Sequence, residues 1–370
     1  MLEQTALGSA GLALDLARGY TLPADWYTDP EVLRRERDRI FARTWQYAGR
    51  VEQLARQGDY LACRAGHIPI ALVRDSGGAL NGFVNVCRHR GHEVVSGSGN
   101  RQTLQCPYHA WTYGLDGRLR NAPRADREPD FPKEELSLLP VQVETWGPFV
   151  FVNPDLDAGP LAAVLGELPE IVAASGVDLG TLQFCERREW MLRANWKVGI
   201  ENYLECYHCP VAHPGFSAMI DVDQDAYAIG AHGWFSSQRA PVRASALDSG
   251  KEVAYDPHGE IAEAQYHFIW PNATINIDPG RANLSLDTWI PDGPELTLGF
   301  SDQFFGPDVP DELRREMIAF SQQVGAEDDA LVASVQRGLS SGMVKQGRLM
   351  LGSEKLIHHF QGLVFRALAP

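Results

Sequence analysis

Cys87-Arg88-His89 is followed, sixteen residues later, by Cys106-Pro107-Tyr108-His109, so two short loops each supply one cysteine and one histidine. The order within each loop carries the information. A structural zinc site usually draws a cysteine pair from one element and a second pair from another. Here each loop gives Cys then His, which suits a two-iron cluster with both thiolates on one iron and both imidazoles on the other. Exchanging two thiolates for neutral imidazoles raises the reduction potential of a [2Fe–2S] centre well above that of an all-cysteine one. Zinc, or unrelated core residues, are the competing readings.

A cluster of this kind only relays electrons, and a second constellation offers a destination. It lies in the stretch Asn195-Trp196-Lys197 to His213-Pro214, which contains Glu205-Cys206-Tyr207-His208-Cys209-Pro210. His208 and His213 are five apart, about 140° around an ideal helix, so an unbroken helix cannot aim both at one atom. Pro210 resolves this by predicting a helix end near His208, with His213 returning from the following turn. Glu205 precedes His208 by three residues, which places both on one helix face. A carboxylate there can orient an imidazole, as acids behind metal-bound histidines commonly do; a solvated glutamate is the plain alternative.

Two histidines and one carboxylate make the facial triad of a non-heme Fe(II) oxygenase. The candidate carboxylate lies in Glu327-Asp328-Asp329, where three acids also fit the first turns of a helix. Val324, Asp328, Leu331, Val332, Val335 and Leu339 fall on one apolar stripe, so Asp328 is expected to point inward. Glu327 and Asp329 lie about 80–100° to either side. Asp328 is therefore the predicted third ligand.

On these motifs, with CRHRGH and CPYHAWTYGLDG around the cluster residues, the chain resembles the oxygenase component of Rieske non-heme iron oxygenases from about residue 35 onward. The resemblance implies a [2Fe–2S] cluster on Cys87, His89, Cys106 and His109, and a mononuclear Fe(II) on His208, His213 and Asp328. It implies a homotrimer in which Glu205 bridges His208 to His109 of the neighbouring subunit. It also implies O₂ as co-substrate, and NAD(P)H acting through a separate reductase of flavin or ferredoxin type. Glutamate within ENYLECYHC looks like the branch of choline, glycine betaine and carnitine oxygenases, where many dioxygenases have aspartate.

Composition agrees. The 370 residues suggest two to three domains, and 44% hydrophobic content is ample for cored units. The net charge of −15 argues against nucleic acid and anionic membranes as partners. Six cysteines are too few for a disulfide scaffold. Two belong to the cluster, and Cys63 and Cys185 are expected as small core residues. The opening MLEQTALGSAGLALDLARGY lacks a secretory pattern, and no run is long enough to span a membrane, so a cytoplasmic enzyme is expected.

Along the chain, residues 1–30 read as a loose arm, followed by a charged helix over 29–44. Strand-like runs then alternate with turns (DYLACRAGHIPIALV, GFVNVC, GPFVFVNP) until about Asn153. A short helix near 160–174 precedes a strand in FCERREWMLRANW. Three further strand runs occupy 265–305, and two helices, 310–338 and 353–368, close the chain. The expected fold class is α+β. The domains would be 1–45, an arm and helix packing with the catalytic domain; 46–154, a small all-β cluster domain; and 155–370, catalytic. The resemblance makes the last a helix-grip, an antiparallel sheet with helices. His67, His92, His232, His258, His267, His358 and His359 lack ligand-like spacing, though His267 could reach a substrate.

The expected activity is oxygenation, by hydroxylation or oxidative demethylation, of a small organic molecule such as a quaternary or methylated amine. Trp190, Tyr203, Tyr227, Trp234, Phe235, Tyr266, Phe268, Trp270 and Trp289 offer aromatic faces for such a cation. An aromatic compound or acid, held by Arg239 or Arg243, is the alternative. No GxGxxG loop or ferredoxin-type cysteine run supplies a reductase. A Rieske electron carrier without enzymatic activity would not need the downstream triad.

Overall fold

The computed structural model describes residues 2–247 and 259–369; His258 lies outside them. Two compact units emerge, Ile40–Ala163 and a second made of Met1–Arg39 with Val164–Pro370. Residues 40–45 and 155–163 bond within the first unit. Trp45 Nε1 donates to Gly159 O at 2.9 Å, and Gln142 Nε2 to Asp155 O at 2.8 Å.

The first unit is all-β. Seven antiparallel strands run in the spatial order Gln46–Arg50, Phe149–Asn153, Pro140–Trp146, Leu80–Val84, Ile68–Arg74, Asp59–Ala65 and Ser98–Asn100. Phe149–Asn153 is buried at every position, which fits its run of aromatic and β-branched residues. A three-stranded sheet of Leu104–Gln105, Thr112–Tyr113 and Leu119–Asn121 stands beside it. Cys87, Cys106, Trp111 and Tyr113 share one apolar cluster with Val94 and Leu104.

The second unit is built on a seven-stranded antiparallel sheet ordered Gln183–Leu192, Leu296–Phe305, Asn283–Gly293, Ala273–Ile277, Glu263–Ile269, Phe235–Pro241 and Ala228–His232. Strand alternation gives this sheet two faces. One carries Trp190, Ser301, Asp287 and Asn276 toward a cavity. The other carries Arg187 and Asp302, an ion pair at 2.6 Å in which Asp302 is fully buried. The helix Trp196–Tyr203 lies on the cavity face, capped by Asn195, whose side chain accepts from Lys197 N. Gly199 makes this approach possible, because a Cβ there would meet the Trp289 ring at 2.5 Å. Lys197 is buried against Glu36, which also accepts from Trp196 Nε1 at 2.9 Å.

Several expectations are corrected. The N-terminal segment is no loose arm: Leu2–Ala17 and Asp25–Thr28 are helical. Leu16 O contacts His358 Nε2 at 2.9 Å, and Leu22 N donates to Gln361 Oε1 at 3.0 Å, so the helix Lys355–Leu368 anchors this segment. The helix expected at 160–174 is two, Leu161–Leu165 and Leu168–Ala174, parted at Gly166 with φ +51°. Cys185 is exposed on the edge strand and Cys63 only half-buried.

Candidate metal centres and substrate cavity

The two cluster loops are structural twins. Cys87 N donates to His92 O, five residues on, and Gly91 N, four residues on, donates back to Cys87 O. Cys106 N donates to Trp111 O, and Ala110 N to Cys106 O, in the same pattern. The residue four beyond each cysteine has positive φ, +77° at Gly91 and +57° at Ala110. Each loop thus turns a buried cysteine inward and swings its histidine round to meet the other. His89 and His109 face each other through Nδ1 atoms at 3.2 Å. Trp111 stacks on His89 with ring centroids 4.9 Å apart, and the Tyr113 hydroxyl meets Cys87 Sγ at 3.3 Å and accepts from Arg88 N at 3.0 Å. Two buried thiols on one side and two convergent Nδ1 atoms on the other fit a cluster with one thiolate-bound and one imidazole-bound iron.

In the second unit the helix ends at Tyr203, not near His208. Glu205 and His208 therefore do not share a helix face. The Glu205 carboxylate instead folds over a turn, accepting from the amide N–H groups of Tyr207 and His208 (3.2 Å for the latter) and meeting His208 Nδ1. Cys206 and Cys209 are joined by a disulfide across this turn, a pairing not read from the sequence. The short helix Cys209–Ala212, with Pro210 in its first turn, delivers His213 at its C-cap. Pro214 opens the next helix, Pro214–Met219.

Asp328 arrives from the helix Asp311–Ser340. The inward line there is narrower than the predicted stripe: Val332 and Gln336 continue it at four-residue steps, whereas Leu331 and Val335 are exposed. Asp328 keeps its place. His213 Nε2 lies 3.0 Å from Asp328 Oδ1, His208 Nε2 3.4 Å from the same oxygen, and the two Nε2 atoms are 3.1 Å apart. Each histidine has a carboxylate at its other nitrogen, Glu205 for His208 and Glu327 for His213 at 2.7 Å. Those carboxylates accept hydrogen bonds from Nδ1–H, so that the two Nε2 atoms and a carboxylate oxygen are aimed at one point. Three converging lone pairs repel unless a cation sits among them. The residues present fit a divalent metal.

The titration behaviour agrees. Burial opposes ionisation of Asp328, yet hydrogen bonds with His208 and His213 hold its carboxyl at about 2. Burial also opposes a charge on His208, but Asp328 and Glu205 raise it to about 9. Both shifts describe a site that demands positive charge. Asp329 moves the other way, pushed up by burial and the Asp328 charge. Glu327 and Asn202, which donates to Asp328 Oδ1 at 2.7 Å, were missed by sequence reasoning. Asn202 could have been flagged by its place in the same Asn195–His213 stretch as the histidines.

A cavity of about 280 Å³ opens beside this site, lined by His208, His213 and Asp328 together with the sheet. Trp190, Tyr203, Tyr227, Tyr266 and Trp289 line it; Trp234, Phe235, Phe268 and Trp270 do not. His267 is excluded, because its strand neighbour Tyr266 takes the cavity face. His267 is buried against Ser237 Oγ at 2.8 Å, and burial lowers it to about 3. Arg239 and Arg243 are absent from the lining and pair with Glu263 and Asp221 instead. Arg188 is the cationic side chain that does line it.

Comparisons with known proteins follow the same division. Residues 44–142 match the Rieske [2Fe-2S] domain, and residues 179–369 the ring hydroxylating alpha subunit catalytic domain. The carnitine monooxygenase oxygenase subunit of Acinetobacter pittii is 35% identical over 93% of this chain and 94% of its own length. The chloroplastic choline monooxygenase of Beta vulgaris is 34% identical over 92% of this chain and 75% of its own. A crystal structure of a quaternary ammonium Rieske monooxygenase with its substrate L-carnitine superimposes with a TM-score of 0.81 at 33% identity, covering 94% of this chain and 95% of that one. Naphthalene 1,2-dioxygenase from Rhodococcus shares the fold at 21% identity and a TM-score of 0.78, covering 94% of each chain. With both domains matched and full-length relatives above 30% identity, the chain belongs to the Rieske non-heme iron oxygenases, in the branch that contains the carnitine and choline monooxygenases.

Proposed function

We propose that this protein is the oxygenase component of a multi-component system that oxygenates a quaternary or methylated amine. The observation that carries the substrate assignment is the cavity wall, where Glu186, Asp278 and Asp287 occur together with aromatic rings. Carboxylates and π-faces together favour a cation whose methyl groups cannot donate strong hydrogen bonds. An aromatic acid held by Arg239 or Arg243 loses support, since neither reaches the cavity.

Cys87, His89, Cys106 and His109 would hold the [2Fe–2S] cluster, and His208, His213 and Asp328 the mononuclear iron. When bound, these groups would supply single electrons and O₂ activation respectively. Glu205 and Glu327 fix the imidazoles by accepting hydrogen bonds from their Nδ1–H groups, which keeps both Nε2 atoms inward. Asn202 orients the carboxylate. The aromatic wall excludes water from the substrate.

The working form would be a cytoplasmic homotrimer fed by a separate NAD(P)H-dependent reductase. A solved relative is described in terms of inter-subunit electron transfer. Tyr207 and Val211 flank Glu205 and are 62% and 89% exposed, an apolar surface suited to cover by another subunit. The test is chemical analysis followed by turnover with a partner reductase. Pure protein should hold about three irons and two acid-labile sulfides per chain, and should consume O₂ with carnitine-like or choline-like amines. Stoichiometric zinc without labile sulfide, or turnover confined to aromatic acids, would overturn the assignment.

A further inference from the structure

The cavity wall holds a carboxyl group, Asp287, that forms no ion pair with a Lys or Arg among the described residues. Asp287 sits mid-strand on the cavity face, two residues before Trp289. Its Oδ2 accepts from Asn276 Nδ2 at 2.8 Å and from Thr274 Oγ1 at 3.4 Å. Its Oδ1 is buried without a hydrogen-bond partner, and so is the indole Nε1 of Trp289. The one charged group that perturbs Asp287 is another carboxylate, Asp302, on the opposite face. Burial pushes the Asp287 carboxyl up to about 6, against polar contacts with Ser301, Asn276 and Thr274, and a cation beside it would favour its ionised form. A buried carboxylate with no counter-charge is costly and is ordinarily paired. A cation entering the cavity would supply the partner.

Strand register locates a second charge. Asp287 faces Ser301, and Ser301 in turn faces Arg188. All three line the cavity, along one row across three strands. With strands about 4.8 Å apart, the backbones of Arg188 and Asp287 are separated by about 10 Å. Asp287 is half-buried on an inner strand, whereas Arg188 is exposed on the edge strand, so the anion is deep and the cation is at the rim. Trp190 and Trp289, with ring centroids 4.7 Å apart, stand on the same face as this row.

We propose that Asp287 and Arg188 select a zwitterion, with Asp287 facing the methylated ammonium and Arg188 a carboxylate of the same molecule. The substrate is then an ammonium acid rather than a choline-type cation. This rests on the quaternary-ammonium reading above and adds to it the second charge and the residues that recognise each. With both side chains on one face and their backbones about 10 Å apart, a single molecule can meet both groups.

Isothermal titration of the iron-loaded full chain with γ-butyrobetaine, choline and 3,3-dimethylbutan-1-ol tests this. The first carries both charges, the second the cation alone, and the third is the neutral carbon isostere of the second. Wild type should bind them in that order. Asp287→Asn should weaken both ammonium ligands about tenfold and erase their advantage over the isostere, while Asp287→Glu retains part of that advantage. Arg188→Gln should weaken γ-butyrobetaine about tenfold and leave choline within about twofold. The proposal is overturned, with the quaternary-ammonium reading intact, if Asp287→Asn keeps its native spectrum and still prefers ammonium ligands. It is equally overturned if Arg188→Gln leaves the gap between γ-butyrobetaine and choline unchanged. Should Asp287→Asn fail to fold, Arg188→Gln decides alone. If neither ammonium ligand binds wild type, both readings fall together.

Discussion

Adjacent acids on one helix do different work because of what stands opposite them. Asp328 faces the lone pairs of both histidines, while Glu327 reaches the far nitrogen of His213. Asp328→Ala should therefore lose the mononuclear iron yet keep the cluster absorption, and Asp329→Ala should keep both. Glu327→Gln replaces an acceptor by an amide that can offer a donor to Nδ1, and should weaken iron retention about 10–100-fold. Iron analysis after dialysis against a chelator separates the three, and equal iron in all of them would contradict the geometry. Helix phase made Asp328 legible in the sequence. Glu327 was not, since periodicity describes the helix but says nothing about a loop that approaches it from the side. Glu201 gives a residue-scale prediction of another kind. It is buried, accepting from Tyr27 OH at 2.7 Å and Gln361 Nε2 at 3.0 Å, and burial raises it to about 7. A raised carboxyl disfavours the ionised folded state, so stability present at low pH is lost as pH climbs from about 4.3 to about 7. Glu201→Gln should remove this loss. Its unfolding temperature relative to wild type should rise between pH 5 and pH 8, and a constant difference would refute the assignment.

At the scale of elements, the cluster loops were the most legible part of the chain. Their chemistry is local, and Cys-x-His in one loop with Cys-x-x-His in the other leaves little for tertiary context to alter. What the sequence hid is that the two loops reach one conformation with different residues at the left-handed position. Gly91 adopts φ +77° freely, and a Cβ there would meet nothing within 4 Å, so only backbone preference is at stake. Gly91→Ala should cost about 1 kcal/mol, and Ala110→Gly should be neutral or stabilising by up to about 1 kcal/mol. Thermal loss of the cluster's visible absorption measures both, and the opposite signs would show that the twin loops are held by something other than their turns. The histidine turn was read less well. A proline suggested that the helix runs to His208, but it stops five residues earlier, and the Glu205 carboxylate satisfies the amides that a helix would otherwise have used. Residues three apart met as expected, for a reason that spacing alone could not disclose.

At the scale of the whole molecule, the α+β class and the all-β cluster unit followed from strand runs and turn signals, while the N-terminal segment did not. Its helices are tied down by the last helix of the chain, more than 300 positions away, and no local pattern reports such a partner. The same limit governs the electron route. Cluster and triad residues belong to separate compact units, about 100 positions apart in sequence, and the proposed homotrimer would supply their coupling. A head-to-tail trimer closes such a heterologous contact into a ring. In the proposed trimer Glu205, which meets His208 Nδ1, would bridge the junction. Glu205→Gln keeps the amide cap but removes the charge; Glu205→Ala removes both. With cluster and iron reconstituted in each variant, a pre-reduced cluster should fail to yield product in a single turnover, alanine more completely than glutamine. Cluster oxidation coupled normally to product in Glu205→Ala, or full activity in a monomer isolated by size exclusion, would exclude the bridge.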